Sequence, residues 1–398
     1  MSLVCWYFQV HQPERLARYT LFDIGTDRSY FDEALNAEVC RRVAEKCYRP
    51  ANALLLRLIE DLRGAFRVAF SLSGVAVEQL LRWTPDVIDG FQALADTGCV
   101  EFLAETYWHS LSFLYAPAEF ERQVAAHHDL MVDLFGQGPT VFRNTELIYN
   151  NALAQAAERL GYEGVLADGV DTVLGWRSPN FVYRPVGTER MQLLLKNYRL
   201  SDDIAFRFSA RQWEGWPLTA EKFAVWLAAA ARSGPVVNLF LDYETFGEHH
   251  WPESGIFQFL ERLPYEVVRH PDLAFATPRE VVRSVGAAGE LDVPRTISWA
   301  DADRDVSAWL GNDMQCNAAE ELFALTEAIH ACPDQALQAD WRRLQTSDHF
   351  YYMSTKGLAD GTVHQYFTPY DSPYDCFIAY MNVLNDVERR LGRSAVAA

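Results

Sequence analysis

The sequence predicts an α/β fold: a closed or nearly closed barrel of parallel strands over residues 1–290, followed over residues 291–398 by a helical subdomain packed on it. Three observations carry this prediction. Short apolar runs bounded by polar residues alternate with longer stretches of helical period, as in successive βα units. No GxGxxG or Walker pattern occurs in the 398 residues, which argues against an open sheet with a phosphate-binding turn. No strand-like run follows residue 290.

The elements follow in order. Residues 3–10 (LVCWYFQV) read as a strand, because the run is short, almost wholly apolar and bounded by polar residues. In 51–62, Leu54, Leu55, Leu58, Ile59 and Leu62 share one helical face. Residues 66–70 and 100–103 are the next strands, then a helix near 117–135, a strand at 140–142, a helix near 151–160 and a strand at 164–167. A helix near 219–232 leads to the last strand, 236–241. Six such runs within about 280 residues suit a barrel. At 286–296 the chain changes to GAAGELDVPRT, where Gly286, Gly289 and Pro294 mark a connector. Beyond it, 314–330, 334–346 and 373–391 have helical spacing, and their apolar stripes require a partner surface, which the barrel supplies.

Composition narrows the function. With 49% hydrophobic and 22% charged residues the chain is globular. A formal charge of −19 repels phosphate backbones and anionic lipid, so neither nucleic acid nor a membrane is an expected partner. The seven cysteines are scattered without a CxxC pair, which fits free thiols in a reducing, cytoplasmic setting. The apolar start lacks a basic n-region and a cleavage site, so it reads as a strand and not a leader. Nothing in the sequence bears on oligomeric state.

In a parallel barrel the chemistry lies at the C-terminal ends of the strands, so the polar residues that follow each apolar run are the candidates. They are His11 and Gln12, Ser71 and Ser73, Glu105, Asn144 and Glu146, and Asp242. Glu146 and Asp242 have aromatic neighbours, an arrangement suited to sugars: one carboxylate attacks or stabilises the anomeric carbon, a second carboxyl protonates the leaving oxygen, and rings supply flat apolar faces. The alternative for Glu146 is structural. Thr145 or Asn144 could cap a helix beginning near Leu147, with Glu146 in its first turn.

A metal is not expected, since His11 is followed by Gln12 and Pro13 and no His-x-Asp pair results, while His249 and His250 are adjacent and cannot both face one ion. His127 and His128 fall on a helix and read as structural. Trp176 sits in the polar loop DGVDTVLGWRSPN, where a substrate platform is expected more than a core ring.

The segments FQVHQPERL (8–16), EFLAETYWHSL (101–111), FRNTELIYNN (142–151), LDYETFGEHHW (241–251) and TSDHFYYM (346–353) resemble, in this order, the five sequence regions of glycoside hydrolase family 57. SWADADRDVSAWLGNDMQ (298–315) and VHQYFTPYDSPYD (363–375) resemble its α-amylase-type branch. The resemblance implies an incomplete (β/α)7 TIM-like barrel with a helical region, and retaining cleavage of α-1,4-glucosidic bonds in glycogen or maltooligosaccharides without a cofactor. It implies Glu146 as nucleophile, Asp242 as acid/base and His11 as the residue holding the sugar at the cleavage point. Glu105, His109, Phe246 and His250 in the same segments become further substrate contacts, with Asp348 and His349 closing the site from the helical side. His349 departs from the pattern, since many relatives carry a tryptophan there. Two alternatives share this site: a 4-α-glucanotransferase using the same intermediate, and a non-catalytic amylase-like glucan-binding protein.

Overall fold

A computed structural model describes residues 1–356 and 368–397; of the segment 363–375, residues 363–367 lie outside the described residues. The strands are β1 (Ser2–Val10), β2 (Val68–Leu72), β3 (Val100–Phe102), β4 (Val141–Arg143), β5 (Gly164–Asp168), β6 (Arg184–Pro185), β7 (Gln192–Lys196), β8 (Val236–Asp242), β9 (Leu273–Phe275) and β10 (Glu290–Leu291). The main sheet runs β3-β2-β1-β8-β7-β5-β4, with β9 beside the first residues of β1. Its neighbours pair in parallel. The two ends of the path meet through Ala104 and Phe142, where Ala104 N–H donates to the Val141 carbonyl (3.0 Å) and Arg143 N–H to that of Ala104 (2.8 Å). The result is an incomplete (β/α)7 barrel, thinnest at this closure and between β7 and β8, where one residue pair, Lys196 with Asn238, is in register.

Period-two alternation sorts the strand residues. Val4, Trp6, Phe8 and Val10, with Val68, Phe70 and Leu72, pack outward into a core shared with the surrounding helices. Cys5, Tyr7, Ala69, Leu103, Val141, Leu166, Leu194 and Phe240 form a separate apolar cluster inside the barrel. On β1, β2 and β4, the next position of the same alternation is polar: Gln9 after Tyr7, Ser71 after Ala69, Arg143 after Val141. The barrel is therefore dry below and polar at the C-terminal rim.

Several elements differ from the sequence-based expectation. β7, QLLLK, is absent from it because a strand buried on both faces lacks alternation and consecutive leucines suit a helix equally well. β9 is only three residues long, too short to show a period in the sequence. The helix expected at 51–62 begins far earlier: Asp32 caps Glu33–Val43, accepting from Leu35 N–H, and a π segment, Ala44–Tyr48, continues it into Arg49–Asp61.

After β10 the chain is helical: Ser307–Leu310, Asp313–Ala324, Thr326–Ala331, Gln335–Arg343, Ser347–Tyr351 and Pro373–Ala397. Trp309, Leu322, Trp341, Phe350 and Tyr380 form its core together with Leu16, Tyr19, Tyr30, Leu111 and Ile148 from the barrel's loops. The contact is also polar. Buried Asp386 accepts from Tyr30 Oη and Gly25 N–H, both at 2.6 Å. No helix of the described residues is long and apolar enough to cross a membrane.

Candidate active site

A cavity of about 480 Å³ opens over the C-terminal ends of the strands, bordered by Gln9 on β1 and His11 just after it, Glu146 after β4, Lys196 on β7, Asp242 on β8 and Asp348 from the helical region. The helix after β4 begins at Asn151 with Asn150 as its cap, so Glu146 belongs to no helical first turn. It occupies a tight turn, Thr145–Leu147, in which Glu146 (φ 56°) and Leu147 (φ 49°) are both left-handed. Such backbone costs on the order of 1–3 kcal/mol per residue and persists only where the surroundings enforce it. Asn144 Nδ2 donates to the Ile148 carbonyl (3.0 Å), Leu147 is fully buried, and Trp299 N–H donates to the Glu146 carbonyl (3.3 Å). The strained turn aims the carboxylate at the donors Trp299 Nε1 (2.8 Å to Oε2) and Ser347 Oγ (3.1 Å to Oε1) and at the ring nitrogen His109 Nε2 (3.4 Å to Oε1).

Beneath Glu146 lies a buried charged network. Glu105 Oε1 accepts from Ser71 Oγ (2.6 Å) and Gln9 Nε2 (3.1 Å), and its Oε2 accepts from His109 Nδ1 (2.8 Å). Burial opposes its ionisation, but His109, Arg143 and His127 outweigh that and hold the carboxyl at about 2. Burial likewise disfavours a charge on His109, and its two carboxylate partners reverse the effect, raising it to about 9. His11 stacks on His109, ring centroids 3.9 Å apart at 19°, and its own pKa is lowered by burial and by the His109 charge. It is fixed by Ser73 Oγ at Nδ1 (2.6 Å) and Asp348 Oδ2 at Nε2 (2.9 Å). Ser73 also caps Gly74–Trp83. His127 is structural, as its helical position suggests: Nε2 donates to the Leu72 carbonyl (2.7 Å) and Nδ1 accepts from Glu105 N–H (3.3 Å).

Across the cavity Asp242 ends β8, and two residues on Glu244 also borders the space. Burial and the neighbouring Asp242 charge raise Glu244 to about 8, against the donors Tyr48 and Gln12, so its carboxyl keeps its proton at neutral pH. A third group surrounds Trp299. Arg143 and Lys196 lie over its ring at 5.0 and 5.1 Å. Arg304 donates to Asp168, Asp202 and the Trp299 carbonyl, all at 2.9 Å.

The candidates separate on this geometry. His11, His109, Glu146, Asp242 and Asp348 border one cavity. Glu105 is fully buried behind His109 and meets the cavity only through the side chains it binds, His109 and Gln9. Phe246 is a core ring, 6.1 Å from Trp6 and 5.6 Å from Phe8. His250 is held by Ser209 Oγ (2.8 Å) and the Ala205 carbonyl (3.0 Å), while His249 borders the cavity instead. His349 is fully buried against Tyr380, because one residue along a helix turns a side chain by about 100° and Asp348 takes the cavity side. Trp176 is 90% exposed and outside the cavity lining.

Trp299, Ser347, Arg304 and Lys196 were not singled out as site residues from sequence. Lys196 and Asp168 stand at strand ends and would have followed from recognising β7 and extending β5 by one residue; Trp299, Ser347 and Arg304 come from loops and helices with no such positional signal. Among the described residues no group of three or more His, Cys, Asp or Glu could hold a metal ion.

Comparison with known proteins adds a family. The model described as glycosyl hydrolase family 57 matches residues 5–294. A Methanocaldococcus jannaschii protein described as "Putative alpha-amylase" is 46% identical, over 97% of this chain and 84% of that protein. Among solved structures, a Thermococcus kodakaraensis branching enzyme (TM-score 0.65, 12% identity) matches over 100% of this chain and 96% of its own. A Thermotoga maritima α-amylase (0.64, 12%) matches over 99% and 94%. A Thermococcus litoralis 4-α-glucanotransferase (0.68, 15%) matches over 88% of this chain, which spans 56% of that structure. At these identities the structural matches speak to fold.

Proposed function

The chain belongs to glycosyl hydrolase family 57, and from that membership we propose that it cleaves α-1,4-glucosidic bonds of an α-glucan or maltooligosaccharide with retention, Glu146 serving as nucleophile and Asp242 as acid/base. The observation that carries the reading is the pairing of Glu146, clamped by three polar side chains on a strained turn, with Asp242 on the border of the same cavity. In the first step a Glu146 oxygen bonds to the anomeric carbon as the glycosidic bond breaks, and Asp242 gives its proton to the departing oxygen. In the second, Asp242 takes a proton from water, whose oxygen displaces Glu146 and regenerates the carboxylate. His11 and Asp348 are the polar contacts for the sugar at the cleavage point.

Trapping and rescue test the assignment. An Asp242→Asn variant given a substrate with an activated leaving group accumulates a covalent sugar on Glu146; a label on another carboxylate refutes the role. Glu146→Ala loses at least about 10³-fold in turnover and is rescued by azide, giving a β-configured glycosyl azide because the small anion enters from the vacated face. Incubation with maltoheptaose identifies the acceptor: shorter chains for a hydrolase, both longer and shorter chains for a transferase, no change for a binding protein.

A further inference from the structure

The buried groups under the nucleophile form a line of alternating charge whose middle member has a function distinct from substrate contact. Arg143 Nη1 lies 4.0 Å from Glu105 Oε2, which is 2.8 Å from His109 Nδ1, and His109 Nε2 is 3.4 Å from Glu146 Oε1. A neutral imidazole carries one N–H and can serve one carboxylate; the other would then face a lone pair. Glu105 offers no proton to resolve this conflict, because Ser71 and Gln9 donate to Oε1 and His109 and Arg143 face Oε2. With Glu146 ionised, as a nucleophile must be, both ring nitrogens of His109 therefore carry hydrogen.

The ring is also fixed in place. His109 has a left-handed backbone (φ 51°), its carbonyl accepts from Ser347 N–H (2.9 Å), and its ring stacks on His11. Ser347 in turn donates through Oγ to the same Glu146 oxygen, so the helical region and the barrel converge on one atom. The charged or titratable groups around the ring are Glu105, Glu146 and Arg143 from the β3 and β4 ends, His11 from the β1 end, His127 behind Glu105, and Asp348 beyond His11.

We infer that His109 is a positioning residue, an imidazolium in the resting enzyme, that keeps Glu146 ionised and oriented for attack, and that it neither gives nor takes a proton in the reaction. The kinetic part rests on Glu146 being the nucleophile; the protonation of His109 requires only that Glu105 and Glu146 are both carboxylates in the resting enzyme. Held between two carboxylates, the ring of the resting enzyme keeps its proton at neutral pH, in line with a pKa raised to about 9 by those partners against the effect of burial. Glu105 and Arg143 act one step further back, Glu105 by holding the proton on His109 and Arg143 by holding Glu105 ionised.

Nitrogen NMR of protein labelled in its histidine rings tests the charge directly, with His109→Gln assigning the resonance. The expected result is one histidine whose two ring nitrogens are both protonated at pH 7.5; a neutral His109 at that pH overturns the inference. Kinetics test the consequence. In His109→Gln, the acidic limb of the kcat/KM profile moves up by about one pH unit or more, and kcat falls about 10-fold or more with KM within about 3-fold. A folded His109→Gln variant with lower activity but an unmoved limb refutes the electrostatic role. Should Glu146→Ala remain active, the nucleophile assignment fails while the NMR experiment still decides the state of His109.

Discussion

Replacing Asp348 by alanine probes whether the helical region completes the site or only rests on the barrel. Asp348 Oδ2 meets His11 Nε2 at 2.9 Å, with the two side chains only 8% and 10% exposed. A hydrogen bond to a charged group contributes about 1.5–3 kcal/mol when protected from water. Unfolding entropy scales at about 2.1 cal/mol/K per residue, or about 0.8 kcal/mol/K for this chain, so the melting temperature should fall by about 2–4 °C. The fold survives, because Ser347 still reaches Glu146 and His109 and the Ser110–Thr346 bridge remains. The catalytic effect should be larger than the thermal one. Loss of a polar contact to the sugar, together with release of the His11 ring, should lower kcat/KM on maltoheptaose by about 10–100-fold. Calorimetry and steady-state kinetics on Asp348→Ala, His11→Asn and the double variant give a coupling energy, expected between about 0.5 and 3 kcal/mol. Additive effects, or a kcat/KM unchanged within 2-fold, would refute the idea that this pair spans barrel and helical region to hold substrate.

Further outcomes follow from the same geometry. Trp299→Phe keeps a ring beneath Arg143 and Lys196 but removes the 2.8 Å hydrogen bond to Glu146, and should cost about 10–100-fold in kcat/KM; a loss under 3-fold would show that the indole N–H is dispensable. Glu244→Gln mimics the protonated acid and should leave activity at pH 6–7 nearly unchanged. Because the folded pKa of about 8 lies above the unfolded value, the wild-type carboxyl contributes its full stability below about pH 4.5 and loses it as pH rises to about 8. The variant's stability relative to wild type should therefore climb across that interval in urea melts, and a flat difference contradicts the assignment. Trp176→Ala, at an exposed loop position, should raise KM for a long glucan while sparing maltotriose, and equal effects on both would remove the platform role. Exhaustive chelation should leave activity intact, and recovery of lost activity by an added divalent ion would reverse that expectation.

Much of the site was readable before any coordinates. His11, Glu105, Glu146 and Asp242 each follow an apolar run, and a parallel barrel gathers strand ends on one rim whatever the details of its helices. Harder to read was which of two adjacent residues would face inward. Asp348 and His349 are adjacent in one motif and His249 and His250 in another, and His250, not His249, is the residue the resemblance suggests, yet within each pair one side chain borders the cavity and the other is held elsewhere.

By itself the sequence determined the barrel class, the helical C-terminal region and the carboxylates at the strand ends, because hydrophobic periodicity is a local property and local properties survive in one dimension. Tertiary structure decided the rest. It brought Trp299 and Ser347 to Glu146 across 153 and 201 residues. It withdrew Phe246 into the core and placed Glu105 behind His109. The charge on His109 is likewise a tertiary property: protonation depends on burial and on the partners at both ring nitrogens, and those partners come from separate strand ends that meet only when the barrel closes.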